Sequence, residues 1–310
     1  MYWYMYNHRN QLNIRALELW FIFLITSCGR FVSSDEGKIV GGRIAKRGEF
    51  PATLFVEGPG RCGGTLVTLS TFLSAGGCFV IDGKRVEAKS ITVIGGVVNI
   101  KEKSTDKQES RVKEYKVHEK YKKLVAGASS YTIFDIALAT LETPFISTET
   151  LKPAVFPAAD SAGMKKILDK VNSEKTTCIG TGYGAVNLDR EERVFSDDLK
   201  VAELTLVPVS DCRVLKIMIG NEICATSLKD NDQTAPGDTG STFMCGGYIL
   251  GMAKGRNRYT KDGKEICYLV YTLFGPYMEY FSLGGNEGTQ YQLHPATFLC
   301  WFFLFCWPQN

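Results

Sequence analysis

The sequence predicts an all-β protein, and three observations predict it. Short apolar runs dominate the chain, each closed by glycine or a polar cluster, as expected of strands joined by turns. Glycine accounts for 31 of the 310 residues. Amphipathic helical patterns are few and short. Taken in order, strands are expected over 52–57, 65–67, 91–98, 135–141, 177–181, 200–207, 241–252 and 267–273, a regular spacing that suits a sandwich or barrel. Helical signals fall at 164–175, at 211–219 after an acidic start, and at 276–283 at the end of the β-rich body. The charged stretch 101–123 reads as a solvated loop plus a strand.

The chain is long enough to fill one large core. Its 36 basic and 33 acidic residues leave a net charge of only +3, too mild to argue for nucleic acid. Near the start, Arg9 and Arg15 precede an apolar run over 19–25, followed by the small residues Thr26, Ser27 and Gly29. This is the pattern of a signal peptide over 1–28, with cleavage between 28 and 34, and the run is too short to span a bilayer. Export places the ten cysteines in an oxidising compartment, where disulfides are expected. No CxxC pair exists and the only histidines are His8, His118 and His294, so neither a metal nor a cofactor is expected. A short pro-segment, 29–38, then leads into a body over 39–283 and a tail over 284–310. The tail carries a ten-residue apolar run, 298–307, read as a patch packing on the body or as a lipid-anchor signal attached at Gly284, Gly285 or Asn286.

Four stretches carry chemistry. Lys38-Ile39-Val40-Gly41-Gly42 comes first. Cys62-Gly63-Gly64-Thr65-Leu66 follows, with Leu73-Ser74-Ala75-Gly76-Gly77-Cys78 just after it. Asp135-Ile136-Ala137-Leu138 and Gly237-Asp238-Thr239-Gly240 complete the set. In this order, and with these cysteines, the chain resembles the chymotrypsin/trypsin-like serine proteases over about 245 residues. The resemblance implies two six-stranded antiparallel β-barrels with a cleft between them and a C-terminal helix. It implies disulfides Cys62–Cys78, Cys178–Cys245 and Cys212–Cys224, the first closing a loop of about 15 residues worth roughly 3 kcal/mol. One family bridge is missing, because Ala235 stands where its first cysteine would be, which leaves Cys267 outside the family pairing. Cutting before Ile39 frees an amine in that family, and the buried acid that would pair with it is Asp238. Either ion alone would be costly to bury, so such a pair is mutual.

The departures decide the functional expectation. The family's mechanism couples a hydroxyl nucleophile, an imidazole base and a carboxylate that orients the imidazole. Gly77 occupies the imidazole position, and no histidine lies between His8 and His118. His118 reads as part of a surface strand edge away from the cleft, and His294 lies beyond the body. Thr239 stands at the nucleophile position, where an alcohol without a base stays un-ionised. Asp135 is kept, with packing and hydrogen bonding as its expected role. Gly237 and Thr239 remain as the oxyanion-hole remnant. Ser241-Thr242 replaces the family's Gly-Pro, and Gln233 stands at the base of the specificity pocket. Lys254-Gly255-Arg256 replaces an uncharged substrate-pairing edge, within a basic run over 254–264 that also holds Arg258, Lys261 and Lys264. That run reads as a rearranged solvated loop or as a polyanion contact.

The expectation is therefore a secreted, extracellular protease homologue that binds rather than cuts. The style of loss is similar to the inactivated protease paralogues that parasitic mites secrete. Its implied partner is an extracellular protein of a proteolytic or complement-like cascade, with no nucleic acid and no membrane span. The alternatives are a serine-type endopeptidase with residual activity, and a polyanion- or carbohydrate-binding module using the basic run.

Overall fold

Twelve strands close into two barrels in the computed structural model, which describes residues 41–126, 129–187, 191–212, 221–229, 232–261 and 264–284. The first barrel holds β1 (Thr53–Glu57), β2 (Arg61–Thr68), β3 (Thr71–Ser74), β4 (Thr92–Gly95), β5 (Gln108–Val117) and β6 (Ala137–Leu141). Its order is β6-β3-β2-β1-β4-β5, closed by antiparallel pairing of β5 with β6. The second holds β7 (Cys178–Gly182), β8 (Lys200–Leu206), β9 (Glu222–Ser227), β10 (Thr242–Cys245), β11 (Tyr248–Lys261) and β12 (Lys264–Leu273). Here the order is β8-β7-β10-β11-β12-β9, closed by β8 against β9. The implied double barrel is therefore present.

The single strand expected over 241–252 is two strands. Gly246 and Gly247 both have positive φ, +57° and +83°, and form a two-residue turn between the paired Cys245 and Tyr248. Tight turns of this hand need φ > 0 at both central positions, which glycine adopts without a steric penalty. A short hairpin, Lys122–Ala126 with Ser129–Ile133, stands beside the first barrel, and Arg43–Ile44 pairs onto the edge of β8.

The expected helix over 164–175 is α1 (Ser161–Ser173), which starts three residues earlier because Asp160 caps it, accepting from Gly163 N at 2.6 Å. Of the helix expected over 211–219, only the turn Val209–Cys212 lies within the described residues. The helical end expected over 276–283 is a single 3-10 turn, Gly275–Tyr277, followed by tight turns; Pro276 suits the first positions of such a turn but the chain does not continue as an α-helix. All three implied disulfides are formed: Cys62–Cys78, Cys178–Cys245 and Cys212–Cys224.

The barrels meet through side chains that the alternation of each strand turns inward. Phe55 of β1 meets Tyr183 edge-on at 5.4 Å, and the Tyr183 hydroxyl donates to Val97 O at 2.8 Å. The Thr242 hydroxyl lies 3.0 Å from that of Thr53 and 2.9 Å from that of Thr65, both in the first barrel. One apolar core runs across this seam, from Phe55, Leu73 and Ile94 to Phe243, Met252 and Tyr271.

Candidate functional site

The seam brings together the residues that the motifs singled out. Gly77 sits in the 3-10 turn Gly76–Cys78 that follows β3, Asp135 lies just ahead of β6, and Thr239 lies in the tight turn ahead of β10. Asp135 is buried, and both carboxylate oxygens are occupied: Oδ1 accepts from Gly77 N at 2.8 Å, Oδ2 from the Thr132 hydroxyl at 2.5 Å. A Cβ placed on Gly77 would meet the Tyr121 hydroxyl at 3.5 Å and the Asp135 oxygens at 3.7 and 3.9 Å, all ordinary contacts. The backbone there does not demand glycine, and a side chain at this position would point at Asp135. Tyr121 is pushed up to about 12 by burial and by the Asp135 charge, so its phenol stays neutral at physiological pH.

Thr239 is pinned from both barrels. Its carbonyl accepts from Gly63 N of β2 at 2.8 Å, and its hydroxyl donates to Lys254 O at 3.4 Å. Its neighbour Gly237 holds a φ of +100°. Asp238 is wholly buried and accepts from Gly184 N at 2.7 Å and Ala235 N at 2.8 Å. Desolvation pushes its carboxyl up to about 7, against the pull of those two donors. Gly182 and Gly184 make room for it, since a Cβ on either would collide with the carboxylate. Ile39 lies outside the described residues.

Comparison with known proteins agrees with this arrangement. Residues 39–280 match the Trypsin family. The chain belongs to that family. A curated relative, an ovochymase from Halocynthia roretzi, is 27% identical over 218 residues, which is 67% of this chain. That stretch is 13% of the relative's own length, so the chain corresponds to a small part of it.

Within this trypsin-family domain the basic run is not a loop. Residues 254–258 belong to β11, which pairs with β12 in a long hairpin. The register slips between Ala253 and Gly255, so Lys254 is the extra residue of a β-bulge. Bulges re-aim side chains, and here the ammonium turns inward. Lys254 Nζ lies 2.5 Å from Glu222 Oε1 of β9 and 2.5 Å from Thr132 O, with side-chain exposures of 9% for the lysine and 2% for the glutamate. Arg256 donates to Gln233 Oε1 at 2.8 Å, and the Cys267 thiol lies 3.7 Å from the same oxygen. Two of the basic residues expected to face solvent are thus turned into the domain. Arg258 is exposed, and the side chains of Lys261 and Lys264 lie outside the described residues. A cavity of about 150 Å³ remains between Ser130–Thr132 and Lys254–Asn257, walled by Glu222 and Val270.

His118 corrects a second expectation. It is buried rather than set on a surface edge. Its ring stacks on Phe134 at 5.1 Å and meets Tyr280 at 4.3 Å and Tyr277 at 5.3 Å, because β5 ends where the closing turns of the domain pack back. Nδ1 accepts from Lys120 N at 3.2 Å, and burial lowers the imidazole pKa. The bonds to Asp135 come from Gly77 and Thr132, not from His118. Sequence reading missed Thr132, Tyr121 and Glu222. Only Glu222 left a trace, as an acid opening an otherwise apolar strand.

Proposed function

We propose that this trypsin-family domain is a pseudoprotease, a secreted homologue that acts by binding and not by peptide hydrolysis. The observation that carries the reading is the state of Asp135. The carboxylate that would orient an imidazole accepts a backbone N–H from Gly77 itself, and glycine has no group to take a proton. Tyr121, the nearest titratable neighbour, is a neutral phenol and cannot replace the base. Thr239 is then an ordinary alcohol, and a carboxylate and oxyanion-hole remnant at Gly237 and Thr239 supply no attacking group.

The rest of the reading follows from the sequence. The leader over 1–28 directs export, and cleavage after Lys38 gives an Ile39 amine that pairs with Asp238. Support for that pair comes from the depth of Asp238. The partner is an extracellular protein of a proteolytic, complement-like cascade, in which a homologue of the cutting enzymes serves as decoy or cofactor. Polyanion binding through 254–264 is the weaker reading, since Lys254 and Arg256 are engaged inside the domain.

The test is a fluorophosphonate probe together with a peptide library, applied to the purified chain and to its Ile39 form. No labelling of Thr239 and no turnover are expected. Labelling at Thr239, or peptide cleavage that co-purifies with the chain and titrates with pH, would falsify the reading.

A further inference from the structure

The slot between the two barrels is bordered by two strand edges. Among the described residues, Ser129–Ile133 pairs on one side only, with Lys122–Ala126, and β11 from Lys254 onward pairs on one side only, with β12. The 150 Å³ cavity lies between these edges. Lys254 crosses it. From its bulge on β11 the side chain reaches the carbonyl of Thr132 on the opposite edge and ends on Glu222. The Thr132 hydroxyl continues the line to Asp135, and Asp135 continues it to Gly77. Glu222 also walls a second, larger cavity of about 580 Å³, lined by Met164, Leu168, Ile223, Leu250 and Leu273, so its carboxylate stands between two spaces.

We infer that Lys254 is a strap: one side chain that ties the strand pair Lys122–Ala126 and Ser129–Ile133, beside the first barrel, to the second barrel and holds the slot between them shut. The cation is suited to this because its four-carbon stem spans the gap and its ammonium offers three donors, of which a carbonyl and a carboxylate take two. Burial makes the contact insensitive to salt, since screening acts weakly away from solvent. The strap stands apart from the question of catalysis, and its test reads motion rather than turnover.

The experiment is hydrogen exchange on the full chain, comparing amides of 129–133 with those of β1 as an internal reference. Lys254→Met removes the bond to Thr132 but also takes a cation from beside buried Glu222, so a second variant, Lys254→Met with Glu222→Leu, replaces both ions by apolar side chains of similar volume. In the double variant the hairpin amides are expected to exchange about tenfold faster or more while β1 keeps its rate, the signature of a local opening. The single variant, where it folds, is expected to show the same pattern. An unchanged hairpin in the double variant overturns the strap. So does an equal rise in hairpin and β1, which would make Lys254 a contributor to overall stability alone.

Discussion

Asp238 makes the stability of the uncut chain depend on pH in an unusual direction. Its carboxyl is wholly buried, receives two backbone N–H groups, and is pushed up to about 7 from an ordinary value of 3.8. An acid whose pKa rises on folding stabilises the fold while protonated. That contribution is complete below pH 3.8 and is lost as the pH climbs to 7. Between pH 5 and pH 8 the loss comes to roughly 2.5 kcal/mol, at about 1.4 kcal/mol for each pH unit below the folded pKa. Asp238→Asn carries a fixed penalty, because its amide cannot accept from both Gly184 and Ala235, but it does not titrate. Subtracting the variant from the wild type therefore cancels His118 and every other titrating group. Urea unfolding followed by far-UV circular dichroism, at pH 5 and pH 8 with the bond after Lys38 intact, measures the difference. The wild type is expected to lose roughly 2.5 kcal/mol relative to the variant. A difference that stays constant within about 0.5 kcal/mol, or moves the other way, refutes the account of Asp238 as a lone buried acid. Cutting after Lys38 should then flatten the dependence, since a paired amine keeps the carboxylate ionised.

Restoring Gly77→His with Thr239→Ser should fold, because Gly77 has room for a side chain, yet cleave peptide substrates poorly while Lys254 fills the slot; turnover comparable to an ordinary trypsin-family enzyme would show that only the triad had been lost. His118 is depressed by burial, so its stabilising contribution is present above pH 6.5 and lost as the pH falls below it; His118→Phe should raise Tm at pH 5 relative to pH 7 compared with the wild type, and an identical pH response in the two proteins would remove His118 from the account. Gly182→Ala should cost roughly 2–3 kcal/mol by driving a methyl into Asp238, whereas Gly255→Ala, with nothing within 4 Å, should be close to neutral; equal Tm values for the two would contradict the packing around Asp238.

Much of the fold could be read from the residues. Apolar runs placed most of the barrel strands within a few positions, and the cysteine pairs were those that the family resemblance implied. The splitting of 241–252 was missed because the run is apolar throughout, and only the two glycines at its centre mark the turn. The site was legible where chemistry is local: Gly77, Asp135, Asp238 and Thr239 stand on short loops with fixed neighbours. It was not legible where the chain meets itself from afar. A basic stretch looks solvated until a bulge turns Lys254 toward Glu222, 32 positions away. His118 looked peripheral because nothing near it in sequence reports that Tyr277 and Tyr280 return to cover it.

The hydroxyl of Thr242 has a mechanical consequence. It sits within hydrogen-bonding distance of Thr53 and Thr65 on the far side of the seam, while the carbonyl of the same residue takes the hydroxyl of Thr181 from its own barrel. Thr242 is thus one of several links across the seam, beside the Gly63 N–H to Thr239 O and Tyr183 hydroxyl to Val97 O bonds, so a loosening of either half is felt by the other at more than one point. Jointed in this way, the two halves answer to a disturbance together.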